Sequence, residues 1–336
     1  MLQFIQFAAM RAAMAVVTLV VVSFIVFTLM ALVPANCAER YLAFKNTQGE
    51  QIGVADIQAE ERRLGLDRPY VERWATWVGN VFIHGDFGMS CILRVRINQL
   101  LGQKFALSLG ICITALIFAY MIALPVGILS ATAPNPALNT SLRLVSYLGL
   151  ALPNFLLALM IMLFSTMVFG DTLTGLFSPE FRDAAWSWAR LRDFLSRAWL
   201  PVFILGWGAT AFALQTVRAL VSDEYGKLYV TAARARGVHG RRLLWRYPAR
   251  HALGPIVNSL GFDLNRVFNE LPIVAAILTL TEAGSLLLDG LARSNDQQLA
   301  GAIIFLLTAS IVALNFLTDL LLALIDPRIR KSVMGG

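Results

Sequence analysis

Charge is what this sequence has least of. Asp, Glu, Lys and Arg together make up 15% of its 336 residues, where a soluble globular domain carries about 25%. A long chain so poor in charge cannot cover itself with water-facing side chains, which excludes an ordinary soluble fold. Histidine and cysteine are few as well, at 3 each. His84, His239 and His251 stand far apart along the chain, so nothing reads as a metal cluster. No G-x-x-x-x-G-K-[ST] phosphate loop is present, so the chain offers no site of its own for ATP hydrolysis. Neither an H-E-x-x-H pair nor a nucleophile with its base is visible, which argues against a membrane enzyme. The net charge of +7 suits nucleic acid, but the cations lie between apolar runs too long for a soluble binder, and nucleic acid is rejected as a partner.

What the chain has instead is apolar length, 57% hydrophobic residues gathered into six runs. They predict spans over 12–33, 105–132, 144–170, 198–218, 254–280 and 300–325. A helix needs roughly 20 apolar residues to cross a bilayer. Its backbone groups must be bonded internally in lipid, so helix is the natural solution. The third run is interrupted by Pro153 and Asn154, and the fifth holds Asp263, Arg266 and Glu270. The first run is too long for a signal-peptide core and no small-residue cleavage site follows it, so it reads as a retained helix. The expected fold is an all-α integral membrane protein, one transmembrane domain over 1–336 with six transmembrane helices.

Loop charge orients these spans. The segment 34–104 holds nine basic and eight acidic residues, and 171–197 holds four of each. The connection 219–252 carries Lys227, Arg234, Arg236, Arg241, Arg242, Arg246 and Arg250 against only Asp223 and Glu224, and the tail adds Arg328, Arg330 and Lys331. An excess of Lys and Arg marks the cytoplasmic side. The fourth-to-fifth connection and both termini are therefore expected inside, and 34–104 outside, which in a bacterial inner membrane is the periplasm. Cys37 and Cys91 both fall in that outer, oxidising compartment, either as a disulfide or as two independent thiols. Cys112 lies in the second span and reads as packing.

Within the outer segment, Val54, Ile57 and Glu61 recur at helical spacing. Gly65 can end that helix, and Pro69 holds Arg68 extended. Tyr70, Trp74, Trp77 and Val81 then form one stripe on an amphipathic helix. Such a stripe suits either the membrane–water interface or a seat on the protein's own spans. The run Gly85-Asp86-Phe87-Gly88 reads as a tight turn.

The basic connection is the most informative stretch. Ser222 and Asp223 can cap a helix near Glu224. Tyr225, Leu228, Tyr229, Ala232 and Ala233 recur at three and four, as one apolar face. Gly237 interrupts the pattern, and a second basic helix presents Leu243, Leu244 and Tyr247, bounded by Pro248 and Pro255. Two short helices at a glycine corner are expected. By periodicity the first fits a partner's groove, an anionic lipid surface, or the protein's own bundle.

The run Tyr229-Val230-Thr231-Ala232-Ala233-Arg234-Ala235-Arg236-Gly237 resembles the cytoplasmic "EAA" loop of ABC importer permeases, and most of all the Y-V-x-x-A-R-A-K-G form of the dipeptide/oligopeptide/nickel permease family. Thr231 stands where the general motif has Glu. Further matches follow in order: Leu64-Gly65-Leu66-Asp67 with Pro69 (L-G-L-D-x-P), Gly85 to Ser90 (G-D-L/F-G-x-S), Pro153 with Phe155 (P-x-F), His251-Ala252 with an early Pro255, Asn315 with Asp319 (N-x-x-x-D), and Asp326-Pro327-Arg328-Ile329-Arg330. The chain departs from the family at Pro34-Ala35-Asn36-Cys37, at Asn269-Glu270, at Ala275, and at Thr281-Glu282-Ala283-Gly284, where only Gly284 remains of a glycine pair.

The resemblance implies a transport subunit without a catalytic site or a bound cofactor. It implies a second permease subunit, in a heterodimer, and two ATP-binding subunits that hold ATP and Mg. It also implies a periplasmic solute-binding protein. On this reading 228–237 is the coupling helix, contacting an ATP-binding subunit through Tyr229, Ala232, Ala233, Arg234, Arg236 and Gly237. Peptides are the first expected cargo. Oligosaccharides or opines are the alternative, and an ion-coupled secondary transporter is less favoured because no repeated halves appear. Asp263, Arg266 and Glu270 share one helix face. Charge within a span is costly and tends to face a cavity or a partner. The three read either as a lining of the translocation path or as an ion-pair ladder between subunits.

Overall fold

The computed structural model describes residues 2–32, 36–49, 53–132, 136–170, 174–182, 184–280 and 296–325. The departure at 281–284, the match at 326–330 and the tail cations lie outside them. The described residues are helical apart from turns, one short 3-10 turn and an isolated bridge between Met89 and Arg96. In chain order the helices are α1 Leu2–Leu32, α2 Cys37–Thr47, α3 Val54–Arg63, α4 Tyr70–Gly79, α5 Ile97–Ser130, α6 Pro136–Ala151, α7 Asn154–Phe169, α8 Trp188–Tyr225, α9 Leu228–Ala235, α10 Gly240–Arg246, α11 Pro248–Ile277 and α12 Gln297–Ile325.

Among the described residues, four stretches are long and apolar enough to cross a membrane: Phe4–Leu32, Ile97–Ser130, Trp188–Tyr225 and Gln298–Leu324. The third apolar run is not one straight span. Helices α6 and α7 meet at 92° across Leu152-Pro153, and only if the bent pair is counted as one span is there a fifth of sufficient length and apolarity. Pro153 cannot donate to a helix ladder and holds the residue before it out of helical geometry, so the bend falls where the sequence places it. Helix α11 has the length of a span, at 30 residues, but its charges separate it from the apolar five. Pro255, expected to bound the preceding helix, lies inside α11.

The core gathers around α8, which packs on α5, α6 and α11. Close approach depends on small residues, as between helices in lipid. A Cβ on Gly127 of α5 would lie 2.8 Å from Val217, and one on Gly206 of α8 would lie 2.7 Å from Phe118. Helix α12 packs on α1 and α11. Asn315 seats its side-chain oxygen over Gly261 of α11. One turn on, Asp319 pairs with Arg11 of α1 at 3.2 Å. The N-x-x-x-D spacing thus ties the last helix to two neighbours.

The outer stripe seats on the protein's own helices. Tyr70 and Trp74 meet Phe24 edge-on, and Trp77 stacks between Phe27 of α1 and Phe305 of α12. Tyr70 shares a 2.6 Å hydrogen bond with Thr28, and the Trp74 indole donates to Ser23 at 3.3 Å. Gly65 ends α3 as expected, with φ 65° and the Leu66 amide donating to the Glu61 carbonyl at 2.9 Å.

The remainder of the outer segment is tied down repeatedly. Cys37 and Cys91 are joined as a disulfide. Asn36 and Glu39 cap α2 reciprocally at 3.0 Å each way. Arg94 pairs with Glu60 and lies 3.8 Å over the Tyr41 ring. Ser90, beside the disulfide, donates to Asp296, which is fully buried. The same carboxylate accepts the Leu299 amide at 3.0 Å at the start of α12.

Candidate functional site

Two features of the sequence were expected to carry function, and the fold places them at different levels of the bundle. The first is the basic connection. Helix α8 continues unbroken to Tyr225, so the expected loop begins as helix, and α9 starts three residues later. Gly237 then takes φ 86°, a left-handed conformation that favours glycine. Its amide donates to the Arg234 carbonyl at 3.0 Å, and that of Val238 to Ala233 at 3.2 Å, closing α9. Helix α10 folds back from this corner.

The apolar residues of α9 do not act as one face. Val230 and Ala233 are fully buried against Leu243 of α10, with Tyr225, Tyr229, Val238 and Tyr247 around them. Leu228, Thr231, Ala232 and Ala235 point away and are exposed, Leu228 by 87%. The spacing of three and four was right for a helix, but it merged an inner and an outer face. Leu243 and Leu244, expected on one side, likewise serve two clusters, the hairpin and the main core.

Of the six candidate residues here, Ala232, Arg234, Arg236 and Gly237 are exposed and Ala233 is not. Arg234 lies 5.1 Å over the Tyr225 ring, a cation–π seat that fixes its stem. Tyr229 donates to Glu224 at 2.5 Å and stacks on His251, with ring centroids 4.7 Å apart. Burial, then the bond to the Glu224 carboxylate, push the Tyr229 phenol well above its ordinary value, so it stays a neutral donor that ties α9 to α8 and α11.

The second feature is the charged face of α11, which the fold divides. Asp263 is buried and accepts hydrogen bonds from Tyr120 of α5 and from Ser259, the latter at 3.4 Å. Tyr120 and Ser259 also bond each other at 3.0 Å. Arg266 and Glu270 lie further along, their side chains about a third exposed. The Arg266 Nε stands 3.6 Å from a Glu270 oxygen, and its guanidinium lies 5.0 Å over Phe212 of α8.

Sequence reasoning missed Asn154. It opens α7 immediately after the bend, is buried, and donates its amide to Glu270 and, at 3.4 Å, to the Leu205 carbonyl. The P-x-F match passes over this residue as its variable position. The interruption of the third apolar run by Pro153-Asn154 was the available signal. Asn154, Glu270, Arg266 and Phe212 thus bring α7, α11 and α8 together around one open patch of charge.

Residues 123–331 match the family described as binding-protein-dependent transport system inner membrane component, and residues 1–96 match its N-terminal companion. The oligopeptide transport system permease protein AppB of Bacillus subtilis (strain 168) is 27% identical over 283 residues, covering 83% of this chain and 86% of that protein. The dipeptide transport system permease protein DppB of Escherichia coli (strain K12) is 24% identical over 343 residues, covering 97% and 99%. Among solved structures, an inward-facing form of the MetNI methionine ABC transporter overlays with a TM-score of 0.52 at 17% identity, covering 68% of this chain and 97% of that one. That likeness is one of fold. With both family regions matched in order along most of its length, the chain belongs to the binding-protein-dependent transport system inner membrane components, the permeases of ABC importers.

Proposed function

We propose that this chain is one of two permease subunits of an ATP-driven importer, forms half of the translocation path, and carries peptides. The cargo reading is supported by relatives named for oligopeptide and dipeptide transport that match nearly end to end. ATP and Mg reside on two separate ATP-binding subunits, and a solute-binding protein delivers cargo from outside. The chain crosses the membrane six times. The charged helix α11 is the remaining span, its polar face kept from lipid by α5, α7 and α8. Both termini and the α9–α10 hairpin are cytoplasmic, and the disulfide-bonded segment 34–104 is periplasmic.

The observation that carries the mechanism is the hairpin's unpartnered outer face. Leu228, Thr231, Ala232 and Ala235 form a short apolar strip on a helix whose inner face is already satisfied. An amphipathic helix in a groove is a recurrent recognition mode, and here the groove belongs to an ATP-binding subunit. Arg236 stands beside the strip to meet acidic groups. When the ATP-binding subunits close, α9 is displaced, and the bundle exchanges inward-open for outward-open. Asp263, Arg266 and Glu270 line the path, Asp263 as its buried end.

Uptake of labelled di- and tripeptides tests this in a strain lacking the gene, with the native chain or a Gly237→Pro variant returned to it. Restoration by the native chain and none by Gly237→Pro is the expected result. Peptide uptake that persists without the gene, with loss of an oligosaccharide or opine instead, would move the cargo. Full activity of Gly237→Pro would remove the coupling role of the hairpin.

A further inference from the structure

We propose that Arg266 takes the terminal carboxylate of the transported peptide, and that Asn154 is the positioning residue that leaves Arg266 free to do so by holding Glu270 to one side. This deepens, and rests on, the peptide-importer reading.

Glu270 is provided for within the chain. Its carboxylate accepts the Asn154 amide at the first turn of α7. The positive end of a helix dipole favours an anion there. Asn154 has little freedom to turn away. It is 6% exposed, its Nδ2 also reaches the Leu205 carbonyl, and its Oδ1 lies against Gly208 of α8, where a Cβ would come within 3.0 Å. That oxygen is buried without a hydrogen-bond partner among the described residues, so Nδ2 is the part of the amide committed to Glu270.

Arg266 is not provided for in the same way. Its Nε forms an ion pair with the Glu270 carboxylate at 3.6 Å, longer than a direct hydrogen bond, and its flat face is held on Phe212. No hydrogen bond from its Nη1 or Nη2 to another described residue is present, and its side chain is 32% exposed. Asp263, one turn away, is committed to Tyr120 and Ser259. A guanidinium in a spanning helix with its outer fork open is costly unless an anion meets it. The fork matches a carboxylate through two parallel N–H bonds. A free peptide carries one such group at its C-terminus. Its ammonium end, by contrast, meets a like charge at Arg266 and an acid already occupied at Glu270.

The test uses the full complex with its partner subunits and binding protein, in proteoliposomes, reading initial uptake of labelled trialanine and of trialanine amide. The native complex should transport the acid in clear preference to the amide. Arg266→Gln should lower uptake of the acid on the order of tenfold, with Arg266→Lys retaining part of it. Asn154→Ala should also lower it, because Glu270 is then free to close on Arg266. Adding Glu270→Gln to Asn154→Ala should raise uptake above that of Asn154→Ala alone, which a merely structural role for Asn154 would not allow. Equal transport of acid and amide by the native complex, an indifferent Arg266→Gln, or a double variant worse than Asn154→Ala would each overturn the proposal. Transport of neither peptide by the native complex would instead strike at the importer reading beneath it.

Discussion

The outer segment and the α9–α10 hairpin are both built from short helices outside the apolar spans, yet they are held in opposite ways. The outer segment is closed by a disulfide, a buried Ser90–Asp296 contact, an Arg94–Glu60 pair and an aromatic stack on α1 and α12. The hairpin keeps a small core of Val230, Ala233 and Leu243, and it leaves a strip of apolar side chains outside. The difference teaches where each region finds its partners. The contacts that hold the outer segment reach other parts of the chain, whereas the outer strip of the hairpin has none among the described residues.

The contrast can be broken from the outer side first. Replacing Cys37 by Ser opens a cross-link between residues 54 apart in sequence, and should destabilise the folded chain by about 3–4 kcal/mol, the scale for a loop of that size. Thermal unfolding in detergent, with and without reductant, measures it. Reductant should have no effect on the variant. Asp296→Ala removes the acceptor for Ser90 and for the Leu299 amide. It should cost about 2–3 kcal/mol in the same assay, since hydrogen bonds to charged groups are the stronger kind.

The hairpin should respond by less. Tyr229→Phe deletes one bond, to Glu224, and should cost about 1 kcal/mol while lowering peptide-stimulated ATP hydrolysis by the assembled complex. Leu228→Asp should change stability by no more than about 0.5 kcal/mol, as for an exposed site, yet abolish uptake. A variant that is stable and still transports would refute the docking face.

Acid should separate the two regions as well. The Arg63 hydrogen bond, with Arg94 behind it, holds the Glu60 carboxyl below its ordinary value of 4.5. A carboxyl lowered in the folded state stabilises it above the unfolded value, and that contribution is lost as pH falls through the lower, folded value. Limited proteolysis of the outer segment should therefore accelerate below about pH 4.5. Glu60→Gln should flatten this dependence.

Much of this arrangement was legible in the residues. Apolar runs located the long helices, and Gly65 and Gly237 marked two corners, because helix length and left-handed turns leave local signatures. Partner choice was not legible. The stripe at Tyr70, Trp74 and Trp77 announced a helix, but the aromatic residues that receive it lie on α1 and α12, far off in sequence. Leu228 and Val230 look alike in a periodic pattern, and only the return of α10 decides which is covered. The charged face of α11 was plain at 263, 266 and 270. What divides it is Tyr120 at one end and Asn154 at the other, 143 and 116 residues from the acids they bond.

Helix α8 runs as one piece from Trp188 to Tyr225, through Pro201, for 38 residues, about 57 Å at 1.5 Å per residue. Its far end is gripped where the buried Arg190 lies between the rings of Phe177 and Trp186, at 4.6 and 4.8 Å. Its near end abuts the hairpin. A continuous rod held by small-residue contacts along α5 has little slack to absorb a push. On the proposed coupling, a movement imposed at Gly226 would reach the other end of α8 as displacement of the clamp around Arg190, so that one helix would carry the signal across the thickness of the membrane.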